Sequence, residues 1–394
     1  MGMYKVIIPN GGNGMIIKRI GILVFVPVLF VLAGSGCGKS LEQVVGENSS
    51  DGSLTGGIQE VESITDSAAN RDAISNIDSE PVFASQASQT EETPKAPVTI
   101  TVSAVGDCTL GTDDRFDYDD SFTAAFYEVE DPGWFLANVR EYFAADDLTI
   151  VNFEGTLSER GEREDKTYAF RGDPNFVKVL TEGSVEAANL ANNHSFDYGW
   201  DAYEDTKEIL GSAGITNFGY DRSAVIEING IKVGLTGTLA VYDEEDARDG
   251  MVEQIEWVKS QGAQLVISSL HWGDEGEYYQ ADWQEYLGHE AIDAGADLVI
   301  GHHPHRLQPM EVYKGKHILY SLGNFCFGGN RYPSDMDSAI YQQTFTFEDG
   351  ILQDDDDFRV IPCRISSSSE YNNYQPTPLE GEAAERALAK VSVQ

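Results

Sequence analysis

Asp297-Leu298-Val299-Ile300-Gly301-His302-His303-Pro304-His305 is a short apolar run that ends at a glycine and opens at once into three histidines around a proline. A short apolar run closed by a turn former reads as a buried strand. Proline disfavours helix in the residue before it, so His303 is expected to be extended, with His303 and His305 facing the same side. Imidazoles placed in that way can grip adjacent metal ions. Taken alone, the stretch reads equally well as a proline-stiffened loop with packed, hydrogen-bonded histidines.

Moving outward, similar runs occur at 98–105, 148–151, 185–191, 224–228 with 232–237, 265–270 and 317–322. Residues 134–143, 200–210, 251–260 and 283–294 carry apolar side chains at helical spacing. Gly211, Gly214, Gly262 and Gly295 are expected just past helix ends, and Asn229-Gly230 reads as a hairpin turn. The alternation predicts an α/β fold with a mixed sheet.

The unusual polar residues fall at the same end of nearly every run. Asp107 follows the first, Asn152 and Glu154 the second, and Asn193 and His194 the third. His271 follows a later run, His303 and His305 the next, and Asn324 the last. Strand carboxyl ends line the ligand crevice of open α/β sheets, so these residues are expected to converge. Singly, each has an ordinary reading: Asp107 as a turn former, Glu154 as a cap, 192–194 as a tight turn. Jointly, a mixed nitrogen and oxygen set suits one or two hydrolytic Mn, Zn or Fe ions better than a structural zinc. His289 and His317 lack such a setting and read as ordinary surface or helix residues.

The ordered motifs Val105-Gly106-Asp107, Asn152-Phe153-Glu154, Ala191-Asn192-Asn193-His194-Ser195-Phe196-Asp197-Tyr198-Gly199, His271-Trp272-Gly273, Gly301-His302-His303-Pro304-His305 and Tyr320-Ser321-Leu322-Gly323-Asn324-Phe325 resemble those of the CapA family. The resemblance covers about 98–365. It implies a metallo-dependent phosphatase-like fold, a four-layer α/β/β/α sandwich. It also implies metal ligation by Asp107, Glu154, Asn193, His271, His303 and His305, with His194 as general acid and Asn152 and Asn324 lining the site. One departure stands out, since the phosphatase pattern has histidine where this chain has Thr109, which weakens the first metal position. The implied role is poly-γ-glutamate capsule synthesis, export or anchoring alongside a membrane synthase complex. The alternatives are an extracytoplasmic metal-dependent phosphoesterase and a docking module that keeps the fold without turnover.

Composition bounds the partners. Asp+Glu number 66 against 26 Lys+Arg, a net charge of -40, which repels nucleic acid phosphates. A polyanionic substrate would be repelled too unless a cation reverses the local field. Lys18 and Arg19 precede an apolar run at 20–33, and small residues lead into Cys37, as in a lipoprotein signal. Cys37 is therefore expected to carry lipid on the outer face of the membrane, with plain secretion the lesser reading. Residues 33–40 also fit a relaxed phosphate-loop pattern, but a signal core is not the buried strand such a loop needs. Residues 1–37 thus read as signal and anchor, 38–97 as a flexible acidic linker, 98–365 as the domain and 366–394 as a polar tail with a short helix near 381–390. Cys108 reads as a buried hydrophobe, and a Cys326–Cys363 bridge is allowed.

Overall fold

The structure is a computed structural model that describes residues 96–220, 222–241, 244–354 and 357–393. The expected signal run, Cys37, the phosphate-loop match and the linker up to residue 95 lie outside the described residues.

The strands begin with β1 (Val98–Thr109), β2 (Leu148–Phe153), a short pair β3 (Thr156–Leu157) and β4 (Arg171–Gly172), β5 (Ala187–Asn189) and β6 (Thr216–Phe218). Next come β7 (Ala224–Ile228), β8 (Ile231–Leu239), β9 (Leu265–His271), β10 (Leu298–His302), β11 (Met310–Tyr313) and β12 (Lys316–Leu319). The last are β13 (Asn324–Phe327), β14 (Asp337–Glu348), β15 (Ile351–Leu352), β16 (Asp357–Arg364) and β17 (Thr377–Pro378). Helices are α1 (Phe122–Val129), α2 (Arg140–Phe143), α3 (Val177–Glu182), α4 (Gly199–Ser212), α5 (Glu244–Ser260), α6 (Asp282–Ala294) and α7 (Gly381–Lys390). Among the described residues, no helix is long and apolar enough to cross a membrane.

One sheet runs β17-β16-β14-β1-β2-β5-β6, with β13 continuing alongside the end of β1. The other runs β11-β12-β10-β9-β8-β7, parallel at its centre and antiparallel at both edges. Parallel strands are covered on both faces, which is why their sequences are near-continuous apolar runs. Alternate side chains then serve different cores. From β1, Ile100, Val102 and Ala104 join Val233, Leu235, Ile267 and Leu298 of the other sheet in one cluster. Val105 and Cys108 join Phe122, Val179 and Leu210 of the helices in a second. On β9, Val266 and Leu270 meet Ile255, Val258 and Leu287 in a third. Each fully buried side chain of this size contributes about 1.5–3 kcal/mol of transfer free energy.

The mixed sheet is as expected, and Asn229-Gly230 turns β7 into β8 with both φ positive, at 52° and 83°. Other expectations need correction. Gly211 lies inside α4, and Gly214 with φ 85° turns the chain instead. The helix read at 134–143 is only Arg140–Phe143 behind a 3-10 turn. His317 is neither a surface nor a helix residue, because it is buried on β12 against the Tyr341 hydroxyl. Cys326 and Cys363 are separate buried thiols, so the allowed bridge is not made. Finally, 366–393 packs on the domain as more than a polar tail, and the short helix expected near 381–390 is present as α7. Tyr374 is fully buried among Phe122 and its neighbours, β17 extends the first sheet, and α7 buries Ala387. Its serines and asparagines satisfy one another, as when Ser366 Oγ donates to Asn373 Oδ1 at 2.7 Å, so polar composition there conceals a folded segment.

Candidate functional site

Strand ends from both sheets meet here, and within each sheet a glycine lets the neighbouring strand's chain close in. A Cβ at Gly106 would lie 1.9 Å from the Gly323 carbonyl oxygen, and one at Gly301 would lie 2.1 Å from that of Tyr320. The gap is used, since Asp107 N donates to Gly323 O at 2.9 Å. The β1–β2 register shifts between Ala104 and Asp107, a bulge of the kind that re-aims side chains at sites.

The first sheet supplies Asp107, Asn152, Glu154, Asn193 and Asn324; the second supplies His271, His303 and His305. Asn152 is the hub. Its Nδ2 donates to Asp107 Oδ1 at 2.9 Å and lies 3.3 Å from His271 Nδ1, while Asn189 Nδ2 donates to its Oδ1 at 3.0 Å. His271 Nε2 is 2.8 Å from Asn193 Oδ1 and 3.4 Å from Glu154 Oε1. His305 Nδ1 is 2.8 Å from Asn324 Oδ1 and 3.1 Å from Asp107 Oδ2. The His303 ring lies 4.7 Å from that of His271 and 5.9 Å from that of His305, centroid to centroid. All nine residues expected at the site, His194 included, are therefore gathered at one place.

The route differs from expectation at two of them. His303 is not extended, for its φ is 99°, and His305 also has a positive φ of 54°. The backbone is strained where the rings converge, as functional sites often are. Asn324 opens β13 rather than closing β12, and reaches Asp107 because the two residues pair across parallel strands.

The donor set fits a divalent cation. Asp107, Glu154 and His305 bring ligand atoms within 4.8 Å of one another, and so do Glu275, His303 and His305. Glu154 Oε1 and His303 Nδ1 are buried without a hydrogen bond, a costly state unless something else meets them, and Asp107 Oδ2 is met by the His305 ring at 3.1 Å. Burial, with the Asp107 charge beside it, holds the Glu154 carboxyl well above the usual range. Burial would raise Asp107 too, but His302 and His305 outweigh it and hold that carboxyl well below. Burial also pushes His303 down to about 4, with His305 adding to the shift. Burial lowers His305 as well, yet Glu154 and Asp107 overcome it and lift the imidazole to about 9. Two carboxyl groups this close ionise together only with positive charge beside them. Thr109 does not supply a ligand nitrogen; its hydroxyl donates to Glu154 Oε2 at 3.4 Å.

His194 is held differently. Its Nδ1 lies 2.7 Å from Asp197 Oδ2, and Lys166 Nζ donates to Asp197 Oδ1 at 2.7 Å. The backbone N–H of Phe170 also donates to Asp197 Oδ2, at 2.6 Å. Asn192 ties the loop down by donating to Phe153 O at 2.7 Å and accepting from His194 N at 3.1 Å. His194, His305 and Asn324 line a cavity of about 510 Å³.

Four neighbours escape a reading of the sequence. Asp197, three residues after His194, was legible in principle from that spacing. Glu275 and Lys166 sit in loops without periodicity. His302 was passed over beside two better-placed histidines, yet it is buried, both ring nitrogens lack hydrogen bonds, and Nδ1 is 3.4 Å from Asp107 Oδ1.

The fold and these strand-end residues define a mixed α/β protein of the metallophosphatase-like class. Residues 101–329, more than half of the chain, match the family model described as bacterial capsule synthesis protein PGA_cap, and the chain belongs to that family. It is 31% identical over 258 residues to the capsule biosynthesis protein CapA of Bacillus anthracis, covering 59% of this chain and 61% of that one. It is 31% identical over 226 residues to the PGA biosynthesis protein CapA of Bacillus subtilis, covering 52% and 59%. A probable polyglutamine synthesis accessory protein of Mycobacterium tuberculosis is 30% identical over 211 residues, covering 46% and 55%. The chain spans about three fifths of the length of the two CapA proteins.

Proposed function

We infer that this chain serves in the synthesis, export or anchoring of a poly-γ-glutamate capsule, through a divalent-metal centre of hydrolase type. The observation that carries the reading is the pair of donor groups that share His305, with orphaned buried ligand atoms in each. The relatives' names supply the polymer. Asp107, Glu154, His271, His303, His305 and the side-chain Oδ1 of Asn193 would hold one or two ions of Mn, Zn or Fe. A cation held there supplies Lewis-acid activation of the attacked group.

The chain's own residues do the rest. Burial holds the His194 imidazole below its usual range, and the Asp197 carboxylate at Nδ1 opposes that shift. In its imidazolium form His194 would pass the Nε2 proton to the departing nitrogen or oxygen while water adds to the other fragment, and the proton that water releases would restore it. Lys166, which donates to Asp197 Oδ1 at 2.7 Å and to the backbone oxygen of Asn193 at 2.8 Å, couples the proton donor's support to the ligand loop. Asn152 orients Asp107 and His271 by hydrogen bonds from outside the donor groups.

The test is a panel of γ-glutamyl oligomers and phosphoesters given to the metal-loaded protein and to His194→Ala. The expected outcome is turnover of a γ-glutamyl substrate that falls about 10²–10⁴-fold in the variant while metal content persists. Turnover of phosphoesters alone would replace capsule work with a general phosphoesterase. Binding of the oligomer without any turnover would favour a docking module, the second reading that Thr109 supports by occupying a ligand position. The working address is the extracytoplasmic face of the envelope, anchored by lipid on Cys37. Membrane fractionation should move Cys37→Ala, and not the wild type, into the soluble fraction; identical partitioning contradicts the anchor.

A further inference from the structure

The cavity beside the metal centre also contains groups that the reading above leaves unused. In a chain with 66 acidic and 26 basic residues, two arginines line it, Arg306 and Arg331. Arg306 follows the ligand His305 and is fixed in place: Nη1 donates to His305 O at 3.1 Å and Nη2 to Ser334 Oγ at 2.8 Å. Arg331 sits over the Tyr371 ring, 4.3 Å from its centroid, with Tyr374 at 5.6 Å. Its main chain is pinned from the C-terminal segment, where Asn372 N donates to Arg331 O at 2.8 Å and Asn372 Nδ2 to Asn330 O at 3.0 Å. The Nε atoms of both arginines are buried and make no hydrogen bond.

Carboxylates share the cavity. Glu275 is already one of the metal donor group, and Asp117 and Asp120 stand at the rim. Asp120 is the one charge-paired with Arg331, at 3.8 Å and half-exposed, too far for a hydrogen bond and open to solvent screening. An aromatic ring can hold a guanidinium plane while its N–H edge stays available, and such a fork matches a carboxylate in shape and charge. Phe116, Tyr168 and Phe327 add an apolar flank suited to methylene carbons.

The geometry points to Arg331, with Arg306 on the metal side of the same cavity, as a carboxylate-binding subsite for a chain of repeated carboxylates, a γ-linked glutamate oligomer. The subsite rests on the polymer reading given above and adds the residues that recognise the polymer. It also gives a strongly acidic protein a way to hold an acidic ligand: two pinned arginines and a cation, in place of a basic surface.

Calorimetric titration of the full, metal-loaded chain with a defined γ-linked glutamate oligomer, its γ-linked glutamine counterpart and inorganic phosphate tests this. The wild type is expected to bind the glutamate oligomer, and the uncharged counterpart far more weakly. Arg331→Gln should weaken glutamate binding about 10- to 100-fold, the size of a lost charge-assisted contact, with metal content unchanged. Arg331→Lys should restore only part, because an ammonium keeps the charge without the fork. If the wild type binds the oligomer and Arg331→Gln binds it equally well, the subsite is overturned and the polymer reading stands. If the metal-loaded wild type binds inorganic phosphate but no glutamate oligomer, both fall.

Discussion

His303 carries a φ of 99°, a conformation that side chains rarely adopt, at the point where its ring faces His271 and His305. Proline at 304 suggested an extended residue, and it was right that the two histidines face one centre but wrong about how. The reason is that the chain leaves β10 in a tight reversal whose geometry sequence spacing does not encode. This gives a test that separates ligand from packed core. In chelator, His303→Gly should be more stable than His303→Ala by about 1 kcal/mol, because glycine accepts the positive φ without strain. Chelator should also lower the thermal midpoint of the wild type much more than that of either variant, since only the wild type loses its full metal linkage. His317→Ala, on β12 against the Tyr341 hydroxyl and outside every donor group, should respond to chelator like the wild type. Equal shifts in wild type and His303 variants would make His303 a core residue.

At the scale of elements, the central parallel strands were legible because each is buried on both faces and so nearly uninterrupted in apolar character. Strand β14 was not, although it is twelve residues long and mostly buried. Its middle holds Gln342 and Gln343, and Gln342 is buried only because its Nε2 donates to Ser103 Oγ at 2.7 Å and Oε1 accepts from Arg359 at 2.8 Å. Partners from distant segments pay that desolvation, and a local window cannot see them. The packing of 366–378 was hidden in the same way by its own serines and asparagines, although the helix at 381–390 was legible. Tyr374 is the anchor there: fully buried, packed on Phe122, its hydroxyl donating to Asp120 O at 2.6 Å. Tyr374→Ala should therefore cost about 3 kcal/mol or more in urea unfolding, within the range for large aromatic truncations in cores. A cost below about 1 kcal/mol would mean that 366–393 is a dispensable appendage.

For the whole molecule, the site stands at the seam between two sheets whose shared apolar cluster fixes where Asp107 lies relative to His271 and His305. The candidate ligands could be read from the sequence because each follows an apolar run. Of the supporting shell, Lys166 and Glu275 could not, since loops place them, whereas Asp197 is legible in principle from its spacing to His194 and Asn189 closes β5. Net charge of -40 makes a cation at this seam electrostatically favourable and a bare carboxylate cluster costly. The central claim is that these strand ends form a divalent-metal centre. It is tested most directly by elemental analysis of the purified full chain after titration with Mn, Zn and Fe, alongside Asp107→Asn. The wild type should retain one or two ions per chain and the variant fewer. A wild type that retains none of the three metals would contradict the account and leave only the fold and family.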